Sequence, residues 1–289
     1  MLTPSPARIP GLSAIAGGYD ALLCDVWGVL HDGVTAYPGA AEALLAARAS
    51  GLRILLLTNA PRPSAPIGDQ LSALGIPPGA YDDILTSGDA TRVLLAERPE
   101  RRIAHIGPDR DLGLYDGLPQ ALVDDGTAEM VVVTGLTDDT VETPEDYHDR
   151  LQALAARGLP MICANPDIVV HRGGQQVWCA GALARVYDTF GGAVTRVGKP
   201  YAPVYGEVRR RLAAAAGRPL LDSRILAIGD GLPTDVRGGH DQGFDVLFVT
   251  GGIHAADFGP LDAPDPKRVE IRLMEEGLAV TAMLPRLVW

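Results

Sequence analysis

The sequence predicts an α/β protein built on parallel sheets, and three observations carry that expectation. Short apolar runs end repeatedly in Gly, Asp, Thr or Asn. Ala/Leu-rich stretches with helical character follow them. The resulting β-α-β-α order recurs along nearly the whole chain, and strands joined through helices pair in parallel with the helices on the sheet faces. With 289 residues, 47% of them apolar and 21% charged, the chain is long enough for a substantial core and for two domains.

Taken in order, YDALLCDVWG (residues 19–28) reads as the first strand, and PGAAEALLAARASG (38–51) as a helix closed by Gly51. LRILLLTNAPR (52–62) is the next strand and APIGDQLSALGI (65–76) the next helix; YDDILTSG (81–88) then leads into DATRVLLAERP (89–99). In the middle, RRIAHIG (101–107), EMVVVTG (129–135) and LPMICANPD (159–167) are strands, with the helix TPEDYHDRLQALAARG (143–158) between the last two. AGALARVYDTFGG (180–192) is helical, VTRVGKP (194–200) returns as a strand, and APVYGEVRRRLAAAAG (202–217) is a helix. Last come the strand SRILAIGD (223–230), the loop GLPTDVRGGHDQG (231–243), the strand FDVLFVTGG (244–252) and a C-terminal helix within residues 265–284.

A formal charge of −11 and no basic run longer than Arg209–Arg211 disfavour nucleic acid and anionic membrane as partners. Any phosphate must then be met by a local site. Lys199 and Lys267 are the only lysines in a chain that otherwise uses arginine. Cys24, Cys163 and Cys179 show no CxxC spacing, which argues against a disulfide framework or a zinc site and for a reducing compartment. The N-terminal MLTPSPARIPGL lacks an apolar signal core, and no run approaches a membrane span, so the expected location is the cytoplasm.

Ligands of open parallel sheets bind beyond the carboxyl ends of the strands. The polar residues there are Asp25, Thr58, Asn59 and Asp230. Any one alone reads as a helix cap or an Asx turn. Together they suggest more. Asp230 and Asp235, joined by Asp25 from another strand, offer the oxygen-rich donor set of a Mg²⁺ site. Thr58 and Asn59 supply a hydroxyl and an amide for phosphate oxygens, Lys199 supplies a compact positive charge, and Asp25 is a candidate nucleophile towards phosphorus.

The segments DVWGVL, LLLTN, GKP and GDGLPTD, in this order, resemble the four motifs of the haloacid dehalogenase (HAD) superfamily of phosphohydrolases. Asn165-Pro166-Asp167, AGALA and GDGLPTDVRGG are similar to the subclass IIA branch that holds N-acetylglucosamine-operon, 4-nitrophenyl and pyridoxal phosphatases. The resemblance spans about residues 19–252. It implies a doubly wound parallel-sheet core of residues 1–86 and 189–289, with a large α/β cap inserted at 87–188. It further implies Asp25 as nucleophile and Mg²⁺ ligand, Thr58 and Asn59 holding the phosphoryl group, and Lys199 orienting it. Asp230 and Asp235 would complete the Mg²⁺ site with the backbone carbonyl of Trp27. The expected partner is a small phosphorylated metabolite, and a homodimer is expected from the relatives.

Trp27 departs from the family pattern, which places a second Asp there to protonate the leaving group and activate water. An indole N–H does not titrate usefully, and loss of a general acid costs on the order of 10²–10⁴ in rate. Good leaving groups would suffer least. His31 and Asp32, in the loop after the first strand, are possible substitutes, although HDG is equally good turn chemistry. In the cap, His171 and Arg172, with Gln175 and Trp178, flank a Gly-Gly turn and are candidate substrate contacts; Trp178 reads better as packing. Arg62, shortly after Asn59, is another candidate phosphate contact but reads better as a solvated surface residue. The alternative to a phosphatase favouring good leaving groups is a pseudo-phosphatase that binds a phosphorylated ligand or partner without turnover.

Overall fold

The computed structural model describes residues 6–172 and 175–289. The chain divides into two compact units. The first comprises Met1–Thr58, Ile67–Leu85 and Tyr205–Trp289, and the second Asn59–Pro66 and Thr86–Val204.

The first unit is built on a seven-stranded sheet of β1 (Ala7–Arg8), β2 (Ala21–Asp25), β3 (Arg53–Thr58), β4 (Asp83–Thr86), β12 (Ile225–Gly229), β13 (Asp245–Val249) and β14 (Ala282–Leu284), in the spatial order β1-β14-β13-β12-β2-β3-β4. The central strands read as unbroken apolar runs because both of their faces are covered: every residue of β2 and β12 is buried. From β2 the chain moves one way, to β3 and β4, and later returns on the other side of β2 as β12, β13 and β14. The order reverses between β2 and β12, which pair in parallel with Cys24 opposite Ile228. That reversal point is where an open sheet leaves a crevice at its carboxyl edge. Asp25 and Asp230 lie there, at the end of β2 and just after β12.

The second unit has a five-stranded parallel sheet in the order β11-β8-β7-β5-β6, made of β5 (Arg102–Ile106), β6 (Ala121–Leu122), β7 (Met130–Val133), β8 (Met161–Cys163) and β11 (Val194–Arg196). Helices His148–Ala156 and Ala180–Thr189 cover it, packing Leu151, Leu154, Leu183 and Tyr187 against Ile106, Val131 and Val133. The buried Tyr187 hydroxyl donates to the Leu159 carbonyl at 2.8 Å, so its polar atom is satisfied inside this core. An antiparallel hairpin of β9 (Val169–Arg172) and β10 (Gln175–Trp178) completes the unit.

The sequence expectation of a parallel α/β fold holds, with three additions. β1 and β6 are only two residues long, too short for an apolar run to announce. β14 lies in a stretch expected only to contain the last helix, which ends at Glu275; it is a strand because all three of its residues are buried beside β13. Among the described residues no helix is long and apolar enough to cross a membrane.

Candidate active site

In the first unit the three expected metal-ligating carboxylates converge. Asp25, Asp230 and Asp235 are all buried, and one ligand atom from each lies within 4.8 Å of the others. Asp25 arrives on the rigid end of β2. Asp230 is seated by backbone: a Cβ on Gly28 would lie 2.1 Å from its Oδ2, and one on Gly252 only 1.9 Å away. Those two glycines form a slot in which the Ile253 N–H donates to Oδ2 at 2.6 Å. Asp235 is delivered by a single π-helical turn, Leu232–Val236, with Asp235 and Val236 both donating backbone N–H groups to the Gly231 carbonyl. The Gly231 N–H in turn donates to Asp235 Oδ2 at 3.1 Å. Such turns are rare and occur often at functional sites. Three hard, buried oxygen donors suit Mg²⁺ or a similar divalent ion, so the residues present fit the metal that the motifs imply. Thr58 is buried at the end of β3.

The flap after β2 settles what surrounds Trp27. The indole, partly buried, meets His31 edge-on at 5.3 Å. It also caps Gly33, where φ is +92° and a Cβ would lie 2.5 Å from Cη2 and Cζ2. His31 is buried and its Nδ1 accepts the Gly33 N–H at 2.9 Å, while burial pushes its pKa below the ordinary histidine value. Asp32 Oδ1 accepts from Thr35 at 2.7 Å and Val34 at 2.9 Å, and these backbone donors hold its carboxyl below the usual range. His31 Nδ1 and Asp32 Oδ1 are thus engaged in the turn. Further along, the Arg286 guanidinium stacks over the Tyr37 ring at 3.9 Å.

In the second unit Asn59 is a hub. Its Nδ2 donates to Asp167 Oδ1 at 2.9 Å and to the Lys199 carbonyl at 3.1 Å, and its Oδ1 accepts the Lys199 N–H at 2.7 Å. Both amide hydrogens are therefore engaged. The amide thus fixes the Lys199 loop. The loop approaches so closely that a Cβ on Gly198 (φ +116°) would lie 2.6 Å from Asn59 Oδ1 and 3.0 Å from Ser87 Oγ. Ser87 Oγ donates to the Val197 carbonyl at 2.5 Å. Asp167 is held in turn by Asn165, whose Oδ1 accepts its N–H at 3.1 Å. Lys199 itself is buried.

The sequence had singled out Asn165-Pro166-Asp167 only as a family mark; its tie to Asn59 joins residues 108 positions apart and has no local signal. Gly28 and Gly252 likewise reveal their purpose only against Asp230. Arg62 is not simply solvated: it faces the buried Asp111 at 3.9 Å, whose pKa burial raises. Trp178 packs partly buried against the second unit's core, and Gln175 is exposed. The side chains of His171 and Arg172 lie outside the described residues.

Comparison with known proteins places these features in a family. The haloacid dehalogenase-like hydrolase model matches residues 22–118, and a second, HAD-hydrolase-like, model matches residues 196–270. The human haloacid dehalogenase-like hydrolase domain-containing protein 2 is 30% identical over 254 residues, covering 84% of this chain and 89% of that protein. Ribonucleotide monophosphatase NagD of Escherichia coli K12 is 27% identical over 241 residues, covering 82% and 89%. The crystal structure of a haloacid dehalogenase-like hydrolase from Brucella suis 1330 superposes with a TM-score of 0.86 at 49% identity, covering 98% of this chain and all of that one. The chain therefore belongs to the haloacid dehalogenase-like hydrolases, in subclass IIA, and is a phosphatase of that superfamily.

Proposed function

We propose that this phosphatase is Mg²⁺-dependent and hydrolyses a small phosphorylated metabolite through an aspartyl-phosphate on Asp25. The observation that carries this reading is the convergence of Asp25, Asp230 and Asp235 at the reversal point of the sheet. Those three carboxylates, with the backbone carbonyl of Trp27, would hold the ion. When bound, it supplies Lewis-acid charge against the phosphoryl oxygens. An Asp25 oxygen attacks phosphorus, and the bond from phosphorus to the leaving oxygen breaks as the new one forms. By the family resemblance, Thr58 and Asn59 would hold the phosphoryl group and Lys199 would orient it and offset its charge. Water then attacks the aspartyl-phosphate, releases inorganic phosphate and regenerates Asp25.

Trp27 decides which substrates suit this route. With no titratable group at that position, and with His31 and Asp32 engaged in the flap turn, the leaving oxygen departs without a proton from the protein. Acyl, anhydride and aryl phosphates tolerate this; alkyl and sugar phosphates do not. NagD is named for ribonucleotide monophosphates, and such nucleotides fall within the proposed class only as slow substrates here.

Trapping tests the covalent step. Mass spectrometry of protein quenched in acid during turnover of 4-nitrophenyl phosphate with Mg²⁺ should show one added phosphoryl group on the peptide holding Asp25, absent in Asp25→Asn. Turnover with no such adduct would refute the aspartyl-phosphate. Mg²⁺ binding without turnover of any phosphate would favour a protein that only binds its ligand.

A further inference from the structure

The metal-ligating Asp230 owes its place partly to the flap, and the flap owes its shape to Trp27. Three contacts link them. The indole closes over Gly33, whose lack of a Cβ admits the ring, and meets His31 edge-on. The His31 carbonyl accepts the Gly28 N–H at 2.8 Å, so the turn that the indole covers is hydrogen-bonded back to Gly28. Gly28, at φ +85°, presses its Cα face against the Asp230 carboxylate and forms one wall of the slot whose other wall is Gly252. The Leu30 N–H to the Val26 carbonyl, at 2.9 Å, and the Tyr37 N–H to the Leu30 carbonyl, at 2.8 Å, close the coil on either side.

From these contacts we propose that Trp27 is a positioning residue: it clamps the flap so that Gly28 holds Asp230 in metal-binding geometry. This rests on the metal role given above to Asp230. The position that lacks the family's acid therefore has a task of its own. A side chain committed to the flap holds a ligand in place while contributing nothing to proton transfer. Contacts that orient a metal ligand are worth about 10–100-fold in metal affinity. An indole acting through a backbone wall belongs at the lower end.

The clamp is read without turnover, by amide hydrogen exchange and by calorimetric titration with Mg²⁺, on wild type, Trp27→Phe and Trp27→Ala. Trp27→Ala should exchange the Gly28 amide about tenfold faster and bind Mg²⁺ about tenfold more weakly. Trp27→Phe, whose ring is too short to cover Gly33 fully, should fall between. A melting curve that stays cooperative in each variant separates this local effect from loss of fold. Unchanged Mg²⁺ affinity in Trp27→Ala, with wild type binding normally, would overturn the clamp and leave the metal site standing. A wild-type protein that takes up no Mg²⁺ would overturn the metal role of Asp230 and the clamp with it, even where the Gly28 amide is protected.

Discussion

The two units hold their functional residues by different means. In the first, Asp230 and Asp235 accept from the backbone N–H groups of Ile253 and Gly231 and sit against glycine Cα atoms. In the second, Asn59 is held by another side chain, Asp167, and in turn grips the backbone N–H and the carbonyl of Lys199. Backbone amides orient two of the three carboxylates in the first unit, whereas a side-chain amide ties the Lys199 loop in the second. The first arrangement resists change because its supports are main chain; the second can be cut at one atom.

Several substitutions break or sharpen that contrast. Asp25→Asn should have the largest effect, lowering turnover by about 10⁴-fold or more in steady-state assays while leaving the thermal melt close to wild type.

Acid should next separate the two units. His105, beside the Thr134 hydroxyl at 3.1 Å and edge-on to Tyr115, has its pKa lowered to about 4, first by burial and then by the Arg150 charge, with Asp109 opposing. The unfolded chain takes up that proton near pH 6.5 and the folded one only near 4, so stability from this group is complete above pH 6.5. It is lost as pH falls to 4, by about 3 kcal/mol at most. Melts at pH 7 and pH 4.5 should show a smaller acid penalty for His105→Gln than for wild type. Equal penalties would mean that His105 is as protonated folded as unfolded.

Gly28→Ala tests the backbone slot. A methyl group 2.1 Å from Asp230 Oδ2, at positive φ, should weaken Mg²⁺ by about 10–100-fold in a calorimetric titration. The corresponding cut in the second unit is smaller. Asp167→Ala releases one Asn59 hydrogen and should lower kcat about tenfold, the worth of one hydrogen bond to a charged group, while Asp167→Asn keeps an acceptor and should stay within about threefold. An Asp167→Asn as impaired as Asp167→Ala would mean that the carboxylate charge, not the relay to Asn59, is what Lys199 needs.

How much of this was legible beforehand depended on the range of each interaction. The strand ends at Asp25, Thr58 and Asp230 were visible because an apolar run that ends in a polar residue marks a strand's carboxyl end. The long strands were equally plain. β14 was masked by the helical stretch before it, and β1 was not visible, since a two-residue strand carries no periodicity and exists only by pairing with a sheet already built. The support of Asn59 by Asp167 was hidden for the same reason, as was the pairing of Gly28 with Asp230, some 200 residues later in the chain. Trp27 shows the limit from the other side. Its absence of acid chemistry could be read from the residue type alone, whereas its seat on Gly33 required the folded flap.

Catalysis through Asp25 without a proton donor at position 27 is tested by a leaving-group series in Mg²⁺: kcat/KM for acetyl phosphate, 4-nitrophenyl phosphate, phenyl phosphate and glycerol phosphate, with Asp25→Asn as the control. The expected result is a steep fall in kcat/KM as the leaving group becomes more basic, with no turnover in the variant. A flat profile across the series would contradict it, because some other group would then be delivering the proton that Trp27 cannot.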